Sequence, residues 1–206
     1  MNARASPSAP PLDAIEPMLP ARAGTPFTDA AWAFELPPGG YRVLAEFGSV
    51  PSRLHSMRHL DLTRWFPEVA EAFDGLDMAR TVLDGHVCVL DVGGRNDPQR
   101  LHERALQPGL QPDGSPVVYC VQDLLVAHGC DLRDLPWSER QRLLRELPLG
   151  DGGTVRRGHA MHGDGEWLAR QAVALGHGAV IAKRRDAPYR GGRCPHWLWI
   201  PCPSWR

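Results

Sequence analysis

Residues 32–47 read Trp32-Ala33-Phe34-Glu35-Leu36-Pro37-Pro38-Gly39-Gly40-Tyr41-Arg42-Val43-Leu44-Ala45-Glu46-Phe47. Two runs rich in aromatic and β-branched residues, 32–36 and 41–47, flank Pro37-Pro38-Gly39-Gly40, whose composition is that of a turn. Strand, turn, strand is the reading. A third extended run, 52–56, follows the break at Gly48-Ser49, so the N-terminal third starts as β-structure.

Working outward, strands and helices alternate. Residues 66–76 carry Phe66, Val69, Ala70 and Phe73 at helical spacing. Residues 82–90 form a strand with a strongly apolar centre. Asp97 followed by Pro98 is a helix start, the aspartate capping and the proline in the first turn, and that helix is expected to reach Leu106. Residues 117–125 are a buried strand. Ser138 with Gln141 three residues on reads as a capping box for a helix to about Leu147. Asp164 caps a further helix that ends at Gly176. Residues 179–183 and 197–200 are the last strands. Most strand pairs are joined by turns too short for a crossover, which predicts an α+β architecture with largely antiparallel sheets.

Composition bounds the rest. The 206 residues carry a formal net charge of −1 and are 43% hydrophobic, as in an ordinary globular chain long enough for a substantial core. Residues 1–14, rich in Ala, Ser and Pro at the start, are expected to be a disordered tail, and 15–206 one folded domain. No run approaches the roughly 20 apolar residues of a membrane span, and the first twenty residues lack a signal-peptide pattern, so a cytoplasmic protein is expected. The five cysteines, Cys88, Cys120, Cys130, Cys194 and Cys202, are odd in number and scattered, which reads as reduced thiols. Of the 23 basic side chains, lysine supplies one, Lys183. Chemistry that needs a lysine amine therefore has a single candidate.

Several fragments, in order, resemble the adenylation domain of bacterial ATP-dependent DNA ligases, especially those of the end-joining type. They are Glu16-Pro17-Met18-Leu19, Trp32 to Leu36, Gly40-Tyr41-Arg42, Asp61-Leu62-Thr63 with Phe66-Pro67-Glu68, and Val82-Leu83-Asp84-Gly85. Tyr119 with Asp123-Leu124-Leu125, Gly129 to Arg133, Glu139-Arg140, Ala182 to Tyr189, Gly192-Arg193 and Trp197-Leu198 continue the match. Each is weak alone, but their collinear order over residues 15–201 is specific. The resemblance implies a nucleotidyltransferase fold, with two antiparallel sheets and flanking helices enclosing an ATP pocket. No OB domain is expected after it.

The departures fall on the chemistry. The family's Lys-x-Asp-Gly-x-Arg motif reads Pro37-Pro38-Gly39-Gly40-Tyr41-Arg42, so the resemblance puts Pro37 where the nucleophilic lysine belongs, and proline has no side chain to form a phosphoramidate. By the same correspondence His86 stands for a metal-linked glutamate, Gln122 for the aromatic that stacks on adenine, and Met57 for an arginine after serine. Gly178 replaces a glutamate before Lys183, and Trp199 and Pro201 replace two phosphate-facing lysines. What the resemblance leaves of an ATP pocket is Glu35, Arg42 and Lys183. Residue by residue other readings stay open: Glu35 as a solvated strand residue, Arg42 as partner of a surface carboxylate, Lys183 as an edge-strand lysine.

The functional expectation is a ligase-like member of the DNA repair and recombination family that has lost catalysis, acting as a binding or regulatory module. No catalytic residue and no cofactor beyond weak ATP are expected. The alternative is a functional ligase or nucleotidyltransferase that uses another nucleophile or a partner's residues. The implied partners are duplex DNA or a DNA-repair protein, with no membrane, and Arg184, Arg185, Arg190 and Arg193 are the candidate DNA contacts. Trp197, Trp199 and Trp205 with Arg193 and Arg206 read either as a base-stacking basic patch or as Trp197 in the core with Trp199 filling the space of a lost lysine. His159 and His162, and Cys194, His196 and Cys202, have spacings zinc can use, but no paired Cys-x-x-Cys signature, and no metal is expected.

Overall fold

The computed structural model describes residues 9–110, 116–150 and 153–202. Among these, the strands are β1 (Met18–Arg22), β2 (Thr28–Glu35), β3 (Tyr41–Phe47), β4 (Arg53–Ser56), β5 (Thr81–Val89), β6 (Val117–Ala127), β7 (Cys130–Asp131), β8 (Val155–Arg157), β9 (Met161–Asp164), β10 (Ala179–Arg184) and β11 (Gly192–Pro201). The helices are α1 (Pro67–Asp74), α2 (Pro98–Ala105), α3 (Trp137–Glu146) and α4 (Gly165–Ala174), preceded by a 3-10 turn at Leu12–Ala14. No helix among the described residues is long and apolar enough to cross a membrane.

The opening stretch is not a hairpin. Strand β2 lies in a five-stranded sheet of order β1-β11-β10-β2-β9, while β3 lies in a six-stranded sheet of order β4-β3-β5-β6-β7, with β8 beside β6. The segment between them carries the chain from one sheet to the other. Its Gly39 and Gly40 both have positive φ, and a Cβ on Gly40 would stand 2.2 Å from the Val87 carbonyl oxygen, so backbone packs there as no side chain allows. Both strands lie where the sequence places them, and the segment of turn composition between them joins two different sheets. Pairing is antiparallel except for β1 beside β11 and β8 beside β6.

The chain divides into two compact units. The first, made of the described residues within 9–15, 38–134 and 140–157, holds the six-stranded sheet. Its core packs Val43, Ala45 and Phe47 of β3, Leu83, Val87 and Val89 of β5, and Tyr119 and Val121 of β6 with Phe66, Val69 and Phe73 around α1. Phe73 stacks on Phe47 at 4.3 Å between ring centroids and meets Tyr119 edge-on at 5.5 Å. The buried Tyr119 hydroxyl donates to the carbonyl of Val43 at 2.9 Å, and burial pushes its phenol well above the usual range. Opposite it, a Cβ on Gly85 would lie 2.6 Å from the tyrosine ring, so glycine leaves the space that ring fills.

The N-terminal boundary of this unit differs from expectation. Residues 9–14 are not a tail: Leu12 is buried, the Arg80 guanidinium donates to the Pro10 carbonyl at 2.7 Å, and Asp13 pairs with the buried His55 ring at 2.9 Å. Residues 1–8 lie outside the described residues.

The second unit comprises, among the described residues, 16–37, 135–139 and 158–202 and holds the five-stranded sheet. One face of that sheet, with Phe34, Val180, Ala182 and Ile200, packs under Leu168, Ala169 and Ala172 of α4. The caps of α2 and α4 follow the sequence, with Asp97 accepting from Arg100 N–H at 3.0 Å and Asp164 from Trp167 N–H at 2.9 Å. That of α3 does not. Its first amides go to the carbonyls of Ala187 and Arg185 at 2.9 and 3.0 Å, and Gln141 reaches the Gln122 carbonyl at 3.2 Å instead of closing a capping box.

Candidate functional site

In the second unit, the sheet face opposite α4 is polar at its centre. Strand pairing sets Lys183 across from Trp197 on one side and Ala33 on the other, with His162 opposite Ala33. Two residues along, Glu35, Ile181, Trp199 and Arg22 form the adjacent row over β2, β10, β11 and β1. Paired residues in neighbouring strands point to the same face, so these two rows share one surface.

Lys183 is 0% exposed and its Nζ lies 2.7 Å from Glu35 Oε2, 4.4 Å from the centroid of the Trp197 ring. A buried ammonium needs a partner of opposite charge, and the indole face adds the attraction of its quadrupole. Trp197 is fixed in turn by Tyr189, edge-on at 5.8 Å, whose hydroxyl accepts from Met18 N–H at 2.8 Å. The solvated reading of Glu35 and the edge-strand reading of Lys183 are therefore both overturned, since β10 lies in the middle of its sheet.

In the first unit, the face of the six-stranded sheet opposite the Phe73 core carries Arg42 on β3, Asp84, His86 and Cys88 on β5, and Cys120 and Gln122 on β6. Arg42 holds the fully buried Asp84 with two contacts, Nε to Oδ1 at 2.6 Å and Nη2 to Oδ2 at 2.5 Å. The partner of Arg42 is thus an interior carboxylate, which overturns the alternative reading of a surface one. The β5–β6 register shifts between Asp84 and Gly85, which leaves Gln122 in a bulge beside Asp123. Asp123 is itself held by Arg140, Nη2 to Oδ2 at 2.7 Å, with both side chains at 0% exposure.

Cys88 and Cys120 sit on this same polar face. The Cys88 thiol approaches the Pro38 and Gly39 carbonyls at 3.6 and 3.5 Å. Its hydrogen bond to Cys120 pushes its own thiol far above the usual range, with burial adding to that. The same bond, helped by the Arg156 charge, lowers Cys120.

The four arginines expected to meet DNA bracket the β10–β11 connection. Arg184, at the end of β10, is exposed and pairs with Asp186 at 2.7 Å. Arg185 donates to the Ala30 carbonyl at 3.0 Å, Arg190 to the Tyr189 carbonyl at 3.1 Å, and Arg193 is exposed at the start of β11. Met57 is exposed beyond β4. Trp197 is core, whereas Trp199 is 41% exposed and so does not fill an interior gap. Trp205 and Arg206 lie outside the described residues. Among the described residues no three His, Cys, Asp or Glu side chains cluster as a metal site would require, and the Cys194, His196 and Cys202 spacing does not assemble one.

Sequence reasoning missed the fully buried Arg140–Asp123 pair and the pairing of Lys183 with Glu35, since neither partner is local in sequence. The strand parity of Glu35 and Lys183 was available, but only the sheet order brings β2 and β10 together.

Two sheets of this order, with helices set against them and a lysine–glutamate pair on one polar face, define a nucleotidyltransferase fold of the ligase type. The model of the ATP-dependent DNA ligase domain matches residues 17–200, and the chain belongs to that family. It is 34% identical over 172 residues to the multifunctional non-homologous end joining protein LigD of Pseudomonas aeruginosa, covering 83% of this chain and 20% of that protein. The crystal structure of the ligase domain of Mycobacterium tuberculosis LigD superposes with a TM-score of 0.79 at 29% identity, covering 92% of this chain and 60% of that one. A mycobacterial DNA ligase D complexed with ATP and MES gives 0.80 at 30% identity, over 93% and 61%. The chain thus spans a fifth of the curated relative and about three fifths of the solved ligase structures.

Proposed function

We propose that this chain is a ligase-family adenylation domain that no longer transfers nucleotide and that acts as a binding or regulatory module in DNA repair. The observation that carries the reading is Pro37. The family resemblance assigns the nucleophilic lysine to that position, and a proline ring offers no amine to attack an α-phosphate. Nucleotidyl transfer also depends on charge placed against the phosphates and their metal, and the positions that resemblance assigns to this task hold His86, Gly178, Trp199 and Pro201.

The buried ion pairs support the same reading. Glu35 and Lys183 satisfy each other at 2.7 Å, and Arg42 is engaged by Asp84, so each of the three residues that the resemblance assigns to ATP, Glu35, Arg42 and Lys183, is tied to a protein partner. A ligand must displace those contacts or do without them. Calorimetry with Mg²⁺ and ATP tests this: binding no tighter than about millimolar is expected, roughly −4 kcal/mol. Micromolar affinity would overturn the loss of phosphate recognition.

The relatives named above are end-joining proteins and DNA ligases, and DNA is accordingly the proposed partner, met through Arg184, Arg185, Arg190 and Arg193. Arginine neutralises phosphate as well as lysine does, so the scarcity of lysine does not weigh against this role.

A further inference from the structure

Trp199 and Arg22 stand side by side on β11 and β1, paired in register on the polar face of the five-stranded sheet. The Ala23 N–H donates to the Trp199 carbonyl at 3.0 Å, which holds the two strand ends together. Trp199 is 41% exposed, an unusual state for a large aromatic on a face whose neighbour in the same strand, Trp197, is 2% exposed. Arg22 is exposed and makes no ion pair or hydrogen bond among the described residues. The carboxylate farther along the same row, Glu35, is already neutralised by Lys183.

We infer that Arg22 and Trp199 form a stacking site for an unpaired nucleobase on a phosphate-bearing strand. A flat indole accepts the π-face of any base, and a guanidinium beside it meets the backbone phosphate of the same nucleotide. Net positive charge next to an open aromatic favours an anionic aromatic ligand over a neutral apolar peptide, and a single-stranded nucleic acid supplies both features in each residue. The site rests on the reading that the chain meets nucleic acid, but it uses none of the four arginines at the β10–β11 connection.

The test is fluorescence anisotropy of a short labelled single-stranded oligonucleotide titrated with the full chain at low salt. Replacing Trp199→Ala should weaken binding roughly tenfold, and Trp199→Phe, which keeps a ring, should restore most of it. Arg22→Ala should lower the log-log salt slope by about 0.7, one contact on a single strand. Trp167 on α4 is equally exposed at 41% and serves as the control, so Trp167→Ala should bind as the parent does. The inference is overturned if the parent does not bind the strand, if Trp199→Ala and Trp199→Phe both bind unchanged, or if Trp167→Ala loses as much. It is also overturned if free AMP binds in a Trp199-dependent way while the strand does not. Duplex binding lost only in the Arg184→Ala, Arg185→Ala double variant leaves this site standing, so the two proposals fail separately.

Discussion

Lys183 Nζ lies 2.7 Å from Glu35 Oε2 and 4.4 Å from the centroid of the Trp197 ring, with no solvent exposure at the lysine. The pair joins two central strands of its sheet, β10 and β2, through side chains as well as through the backbone. Removing one charge strands the other in the interior. Lys183→Met should therefore cost about 3 kcal/mol or more in denaturant unfolding, whereas Glu35→Leu combined with Lys183→Met should recover much of that loss. A single variant as stable as the parent would mean the interior there admits water.

The Arg140–Asp123 pair is a stricter case, because both side chains are fully buried and bound by two contacts. Arg140→Met is expected to destabilise by about 3–5 kcal/mol, read as a lower denaturant midpoint. The effect should exceed that of Arg184→Ala, whose exposed pair with Asp186 belongs to a class that contributes little.

Thiol reactivity should separate the cysteines. Cys120 is lowered by the hydrogen bond from Cys88 and by Arg156, while Cys88 and Cys202 are raised, the latter by burial. Alkylation mapped by mass spectrometry should label Cys120 before Cys88 and Cys202, and its rate should climb at lower pH than theirs, because a depressed pKa gives thiolate earlier as pH rises. Equal rates would contradict the lowered thiol of Cys120.

Asp61 accepts from the Thr63 N–H at 2.9 Å, and the side-chain hydrogen bond to Thr63 holds its carboxyl below the usual range. A carboxylate depressed in the folded state stabilises above its unfolded pKa and loses that contribution as pH falls through the folded one. Asp61→Asn should hence flatten the acid limb of a stability–pH curve below about pH 4 and leave the neutral region parallel to the parent. An unchanged acid limb would assign that slope to other carboxylates.

Nicked duplex binding should be weak and steeply salt-dependent, each phosphate contact adding about −0.9 to the log-log slope. Changing Arg184 and Arg185 together to alanine should reduce both affinity and slope. An unaltered titration would exclude the β10–β11 connection as the duplex contact.

Much of the fold was legible because its signals are local. Asp97 and Asp164 cap as their sequences indicate, and the apolar runs of β5 and β6 are buried strands. What failed was non-local. Pro37 to Gly40 has hairpin composition yet carries the chain between sheets, since turn chemistry fixes the backbone but not the strand's partner. Short strands β1, β8 and β9, rich in Pro, Arg, His and Gly, carry little periodicity and acquire their pairing from neighbours far along the chain. The candidate site divides in the same way. Its residues were picked out one at a time, whereas their pairing as Glu35 with Lys183 and Arg42 with Asp84 follows from sheet order.

The central claim is that no covalent nucleotide adduct forms. Incubation of the full chain with α-labelled ATP and either Mg²⁺ or Mn²⁺, then a denaturing gel, reads this directly. The account predicts no labelled band at the mass of the chain, since Pro37 offers no amine and Lys183 is buried against Glu35. A labelled band that is lost on Lys183→Arg substitution would contradict it and assign the chain an active nucleotidyl transfer.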